Sequence, residues 1–151
     1  MGVAGTAEAQ GIHFLVTSDR NRLMEEIKEA ILSEIREYIL WAATLNGHGW
    51  ARRLPDYWAA GVPYRPSDIL GRPLLTAERK AWSRAAEALA GEGSVIRVSS
   101  GLGRKTTHLQ PTATLAAAWL AGADSKTGKR LLEGLRRSHW GIELAAELTG
   151  G

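Results

Sequence analysis

Between Thr76 and Thr112 the sequence TAERKAWSRAAEALAGEGSVIRVSSGLGRKTTHLQPT switches from a helical to an extended period across a pair of glycines. From Thr76 to Ala90, Ala81, Ala85, Ala88 and Leu89 fall on one helical face, while Lys80, Ser83, Arg84 and Glu87 occupy the other. Thr76 is placed to cap the helix, and Gly91 and Gly93 stop it. The β-branched run Val95-Ile96-Arg97-Val98 then predicts a short strand. Ser99 to Lys105 has loop chemistry, Thr106 to Gln110 alternates as a returning strand, and Pro111 closes it. A helix tied by glycine to a short hairpin leaves few architectures, and the expected class is mainly α with a small β-hairpin, α+β.

The flanking segments are helical. Leu23, Ile27, Ala30, Ile31, Ile35, Tyr38 and Ala42 recur at three- and four-residue steps, which predicts a long amphipathic helix. Ser18 or Asp19 is its expected cap, and Asn46-Gly47 with Gly49 its expected end. Residues 1–19, rich in small side chains, read as a flexible tail. Trp50 to Pro66 carries three prolines and four aromatics and is expected to be an irregular connection, with a short helix around 56–60. Pro66 to Gly71 fits a short helix ended by glycine, and Arg72-Pro73 turns the chain toward Thr76. Past the hairpin, 113–121 and 129–148 read as two further helices. The expected organisation is therefore the tail, one domain over 20–121, and a helical extension over 122–151.

Composition is that of a folded, water-soluble chain: 44% hydrophobic and 23% charged residues, with no apolar run long enough to span a bilayer. The N-terminal stretch lacks the basic start and apolar run of a secretory signal, and the chain has no cysteine, which agrees with a reducing compartment. A cytoplasmic, nucleoid-associated location is the resulting expectation, with no membrane partner. The formal charge of +3 is unevenly distributed. Residues 1–50 sum to −3, residues 51–110 to +5 and residues 111–151 to +1. A basic middle segment is the electrostatic footprint of a nucleic-acid binder, because neutralising phosphates releases condensed counterions.

The stretch SRAAEALAGEGSVIRV, with Ser83, Arg84, Ala85, Leu89 and Gly93 at their spacings, resembles the recognition helix and first wing strand of winged helix-turn-helix DNA-binding domains. The resemblance covers about residues 64–112 and implies a winged helix-turn-helix core with flanking N- and C-terminal helices. It further implies binding of double-stranded DNA by a transcriptional regulator. Arg79, Lys80, Ser83 and Arg84 would face the major groove, with Arg84 able to form bidentate bonds to guanine O6 and N7. Arg104, Lys105 and Thr106 in the wing would hold the backbone, and Thr76 with the first helical amides would add a phosphate contact. Such proteins commonly pair through flanking helices, so a homodimer with a seam of Leu23, Ile27, Ile31 and Ile35 is expected; the plain alternative is that this stripe packs on the domain's own core. Trp82 sits beside the expected reading face, where it would buttress Arg84 or touch a sugar. The competing reading is a winged-helix module that meets a protein partner in a replication, partition or chromosome-maintenance assembly. A third is a regulator with a ligand pocket between its outer helices.

No catalytic constellation is legible. His13, His48, His108 and His139 lack the spacing of a metal-binding helix, so neither a metal nor another cofactor is expected. Gly122 to Arg130 differs from a phosphate-binding loop in glycine spacing, and Arg130 stands where Ser or Thr is required. It reads as a turn at the start of a basic helix. Gly101-Leu102-Gly103 lacks the third glycine of a dinucleotide fingerprint. The chain is accordingly expected not to be an enzyme.

Overall fold

The computed structural model describes residues 8–45, 60–101, 103 and 105–150. In chain order these form α1 (Glu8–Ala42), β1 (Val62–Pro63), α2 (Pro66–Leu70), α3 (Thr76–Gly91), β2 (Val95–Val98), β3 (His108–Pro111), α4 (Ala113–Gly122), α5 (Ser125–Leu135) and α6 (His139–Leu148). The architecture is α+β, mostly helical, with a three-stranded antiparallel sheet in the order β1-β3-β2.

The long helix organises the core. Ile27, Ile31, Ile35 and Ile39 recur every fourth residue and are all buried, the last completely. Fully burying one such side chain stabilises the fold by about 1.5–3 kcal/mol. They share one cluster with Trp82, Ala85 and Leu89 of α3, Leu131 and Leu135 of α5, Ala145 of α6, and Val62, Val95 and Leu109 of the sheet. The expected dimer seam is thereby corrected: Ile27, Ile31 and Ile35 face this chain's own interior, and of the four residues only Leu23 is exposed. The stripe continues through Ile39 and Ala42 into the core, and a continuous apolar row packs against whatever helices its own chain brings to it.

The helix also begins at Glu8, not at Ser18 or Asp19, so much of the expected tail is helical. The helix ends at Ala42, short of the expected stop at Asn46 to Gly49; that stop and the expected short helix around 56–60 lie outside the described residues, apart from Ala60.

Two glycines decide how closely the C-terminal helices approach. At Gly134 a Cβ would lie 2.0 Å from the Ile39 carbonyl oxygen, so α5 contacts the backbone of α1 directly. At Gly141 a Cβ would lie 2.2 Å from the Leu135 carbonyl oxygen, where α6 turns back on α5. Ser138 forms that corner from a fully buried position. Its hydroxyl donates to Leu135 O at 3.0 Å and accepts from Gly141 N at 3.1 Å, capping α6. The expected single helix over 129–148 is therefore two. The two helices α5 and α6 of the expected extension also pack into the same core as α1, because Leu131, Leu135 and Ala145 belong to its cluster. The segment compared above with a phosphate-binding loop is the start of α5, with Asp124 accepting from Thr127 N at 2.7 Å as its cap.

Candidate functional site

The outward side of α3 and the hairpin beside it form the candidate site. A short connection fixes how α3 enters it. The turn after α2 closes on Gly71, whose φ of 77° is the left-handed conformation that glycine adopts without steric cost. Arg72 then grips Glu78 with both guanidinium nitrogens, Nη1 to Oε1 at 2.8 Å and Nη2 to Oε2 at 2.6 Å. Glu78 Oε1 also accepts from Leu75 N at 2.9 Å. The Arg72 guanidinium and the Leu75 amide hold the Glu78 carboxyl down at about 2. Leu75, and not Thr76, thus occupies the cap position, and the Glu78 carboxylate three residues on satisfies the Leu75 amide, the half of a capping box that does not need a side-chain hydroxyl at the cap. Thr76 is the first helical residue and is exposed.

Buried residues divide α3 into two sides. Trp82, Ala85, Ala86 and Leu89 face inward, and Tyr64 donates its hydroxyl to the Trp82 carbonyl at 2.8 Å. Burial pushes the Tyr64 phenol well above its ordinary range, which keeps it neutral as a donor. Trp82 is only 4% exposed, so it anchors the core and does not lie on the outer face. Arg79, Lys80, Ser83, Arg84 and Glu87 are exposed. Among the described residues Arg79, Lys80 and Arg84 form no ion pair within 4.0 Å.

The hairpin stands next to this face. Val98 accepts from Thr107 N at 2.8 Å, and Ser100 N donates to Thr107 Oγ1 at 2.9 Å, so the base of the loop is stapled. Ser99 Oγ donates to Gly103 O at 3.0 Å across it. Tyr64 N, just after β1, bonds Thr107 O at 2.9 Å and fastens the third strand. Lys105 is exposed at the loop's returning limb. Arg104 lies outside the described residues.

Between α2, α3 and the hairpin runs an open groove of about 1050 Å³. Arg79, Ser83, Lys105 and Thr106 line it together, whereas Thr76, Lys80 and Arg84 are not among its lining residues. The expected reading residues are thus divided between two edges of one helix. The groove also takes Arg65, Arg72 and Arg97, none of which the sequence pattern singled out. No period marked Arg97 in the sequence, because Ile96 and Arg97 are both exposed beside buried Val95 and the strand does not alternate. Opposing these cations are Asp68 and Glu87, with Glu87 Oε2 4.0 Å from Arg97 Nη1. The arrangement suits a polyanion: one exposed cationic edge, one concave cationic channel, and hydroxyls at Ser83 and Thr106 between them.

Among the described residues, no three His, Asp or Glu side chains come together to hold a metal ion, and no helix is long and apolar enough to cross a membrane. No protein-family model, curated protein or solved structure gave a significant match to the chain.

Proposed function

We propose that this chain is a winged-helix protein that binds double-stranded DNA and acts in transcriptional regulation. The carrying observation is the order helix, strand, helix, helix, strand, loop, strand, with the sheet arranged β1-β3-β2. In that arrangement α3 is the recognition helix and the loop after β2 is the wing. It stands beside an α3 face whose Arg79, Lys80 and Arg84 have no carboxylate partner within 4.0 Å among the described residues.

In this reading α3 enters the major groove, whose width of about 12 Å admits a helix. Lys80 and Arg84 on one edge and Lys105 at the hairpin meet phosphates. Thr76 and the free amides of the first turn add a neutral phosphate contact. That Lys80, Arg84 and Lys105 have no carboxylate within 4.0 Å among the described residues matters energetically, because a cation already paired gains little by exchanging one anion for another.

The test is DNA binding by the intact chain with Lys80, Arg84 and Lys105 replaced by alanine singly and together. Each replacement should weaken binding to all duplexes to a similar degree and reduce the steepness of the salt dependence by about 0.9 per cation removed. A triple variant that binds duplex DNA like the wild type would overturn the reading.

A further inference from the structure

The anionic residue on the cationic face has no role in phosphate binding, and its position gives it another. Arg79, Ser83 and Glu87 are spaced four residues apart on α3, and all three line the groove facing the hairpin. Glu87 is exposed, its side chain at 56%, and its one described ion pair reaches Arg97 at 4.0 Å, with Arg97 itself 41% exposed. A pair that long and that wet contributes roughly 0–1 kcal/mol to stability, so it does not explain the carboxylate structurally. Facing a phosphate, Glu87 would be repelled; facing a base edge, it has one complementary partner. In the major groove cytosine offers its N4 amino group as a donor. Adenine's N6 donor sits beside the N7 acceptor, which repels a carboxylate and instead suits Gln or Asn.

We infer that Arg79, Ser83 and Glu87 form the base-reading row of this helix, with Arg79 specifying guanine and Glu87 specifying cytosine, an inference that rests on the DNA-binding function proposed above. Lys80 and Arg84, on the edge away from the groove, then serve affinity and not selectivity. The row also sets a spacing. Eight residues of helix separate Arg79 from Glu87, a rise of about 12 Å, and at about 3.4 Å per base pair this places the two bases three to four pairs apart. Arg97 Nη1 lies 4.0 Å from the carboxylate, a contact too weak to fix that side chain, so Glu87 can turn to a base edge.

The experiment is site selection from random duplexes with the full chain, as wild type, Glu87→Gln and Arg84→Ala. The wild type should enrich a guanine and a cytosine three to four base pairs apart. Glu87→Gln should exchange the cytosine for adenine, with about a tenfold reversal of preference at that position alone. Arg84→Ala should select the same sequence more weakly. If Glu87→Gln enriches the wild-type sequence and merely binds all duplexes more tightly, Glu87 is only an electrostatic brake and the inference is wrong. If the wild type binds duplexes without enriching any sequence, the base-reading row is refuted while DNA binding stands. If it binds no duplex at low salt, the proposed function falls and takes this inference with it.

Discussion

Replacing Gly134 by alanine sets two effects of known sign against each other. Helix propensity alone favours the change by about 1 kcal/mol, since glycine is the poorest ordinary residue in a helix interior. The contact with α1 opposes it. A Cβ at residue 134 would lie 2.0 Å from Ile39 O and 2.8 Å from both Ile39 C and Cγ2, where ordinary contact begins near 3.4 Å. Neither partner backbone is the end of a flexible side chain, so α5 must move away by roughly 1.4 Å, the difference between those two distances. A gap of about 1 Å already forfeits up to half of each dispersion contact, and Leu131, Leu135 and Ile39 all lose contacts at that seam. Overpacking of this kind costs about 1–3 kcal/mol, sometimes more. With no side chain on α5 able to yield, the upper part of that range applies. The expected net loss is about 2 kcal/mol, equivalent to a fall in Tm of roughly 4–8 °C for a chain of this size. Gly128 on the same helix is the control: a Cβ there meets only Leu120 Cδ2, at 3.6 Å. Gly128→Ala should be neutral or stabilising by up to about 1 kcal/mol. Urea denaturation followed by tryptophan fluorescence measures both. A Gly134→Ala protein as stable as the Gly128→Ala protein would refute the close approach of α1 and α5.

Trp82→Ala should cost about 3–5 kcal/mol in the same denaturation experiment, since the ring is buried in the core; unchanged stability would return Trp82 to the surface. The Glu78 carboxyl is held low in the fold, so its contribution is complete above the ordinary range near 4.3 and disappears as pH falls toward about 2. Wild type should therefore lose its stability advantage over Glu78→Gln across that acid window, and an advantage that does not change with pH would contradict the Arg72–Glu78–Leu75 arrangement. Lys28 Nζ lies 2.6 Å from Glu92 Oε2 and joins α1 to the end of α3. A double-mutant cycle on Lys28 and Glu92 should give a coupling of about 0.2–1 kcal/mol that fades in high salt, and zero coupling at low salt would remove the bridge.

Local signals made α3 and its hairpin legible. Alanine spacing, the glycines at 91 and 93, and the β-branched run 95–98 each act over a few residues, and the structure places α3 and β2 at those positions. The stripe from Ile27 to Ala42 was equally plain, but periodicity shows that a face is buried and not what buries it. Val62–Pro63 escaped the sequence because a two-residue strand has no period of its own; its pairing with Leu109 and His108 is a long-range event. Ser138 gave no visible break either, since its capping role depends on a buried corner built by Leu135 and Gly141. The start of α1 at Glu8 was hidden because Ser18 and Asp19 are cap-forming residue types that here lie inside the helix, and Gly11 interrupts the stretch before them. At the candidate site, spacing placed Lys80, Ser83, Arg84 and Glu87 on one outer face, and the resemblance added Arg79. Only the position of the hairpin separates Arg79 and Ser83, in the groove, from Lys80 and Arg84 outside it.

The most direct measurement is the affinity of the purified chain for random duplex DNA as a function of salt, followed by anisotropy of labelled DNA. Lys80, Arg84 and Lys105 supply about three phosphate contacts per chain in this account, so log K should fall against log salt with a slope of about −2.7. That corresponds to roughly a 40-fold loss of affinity between about 50 and 200 mM. A slope near zero, or no binding even at the lowest salt, would contradict DNA binding through this face.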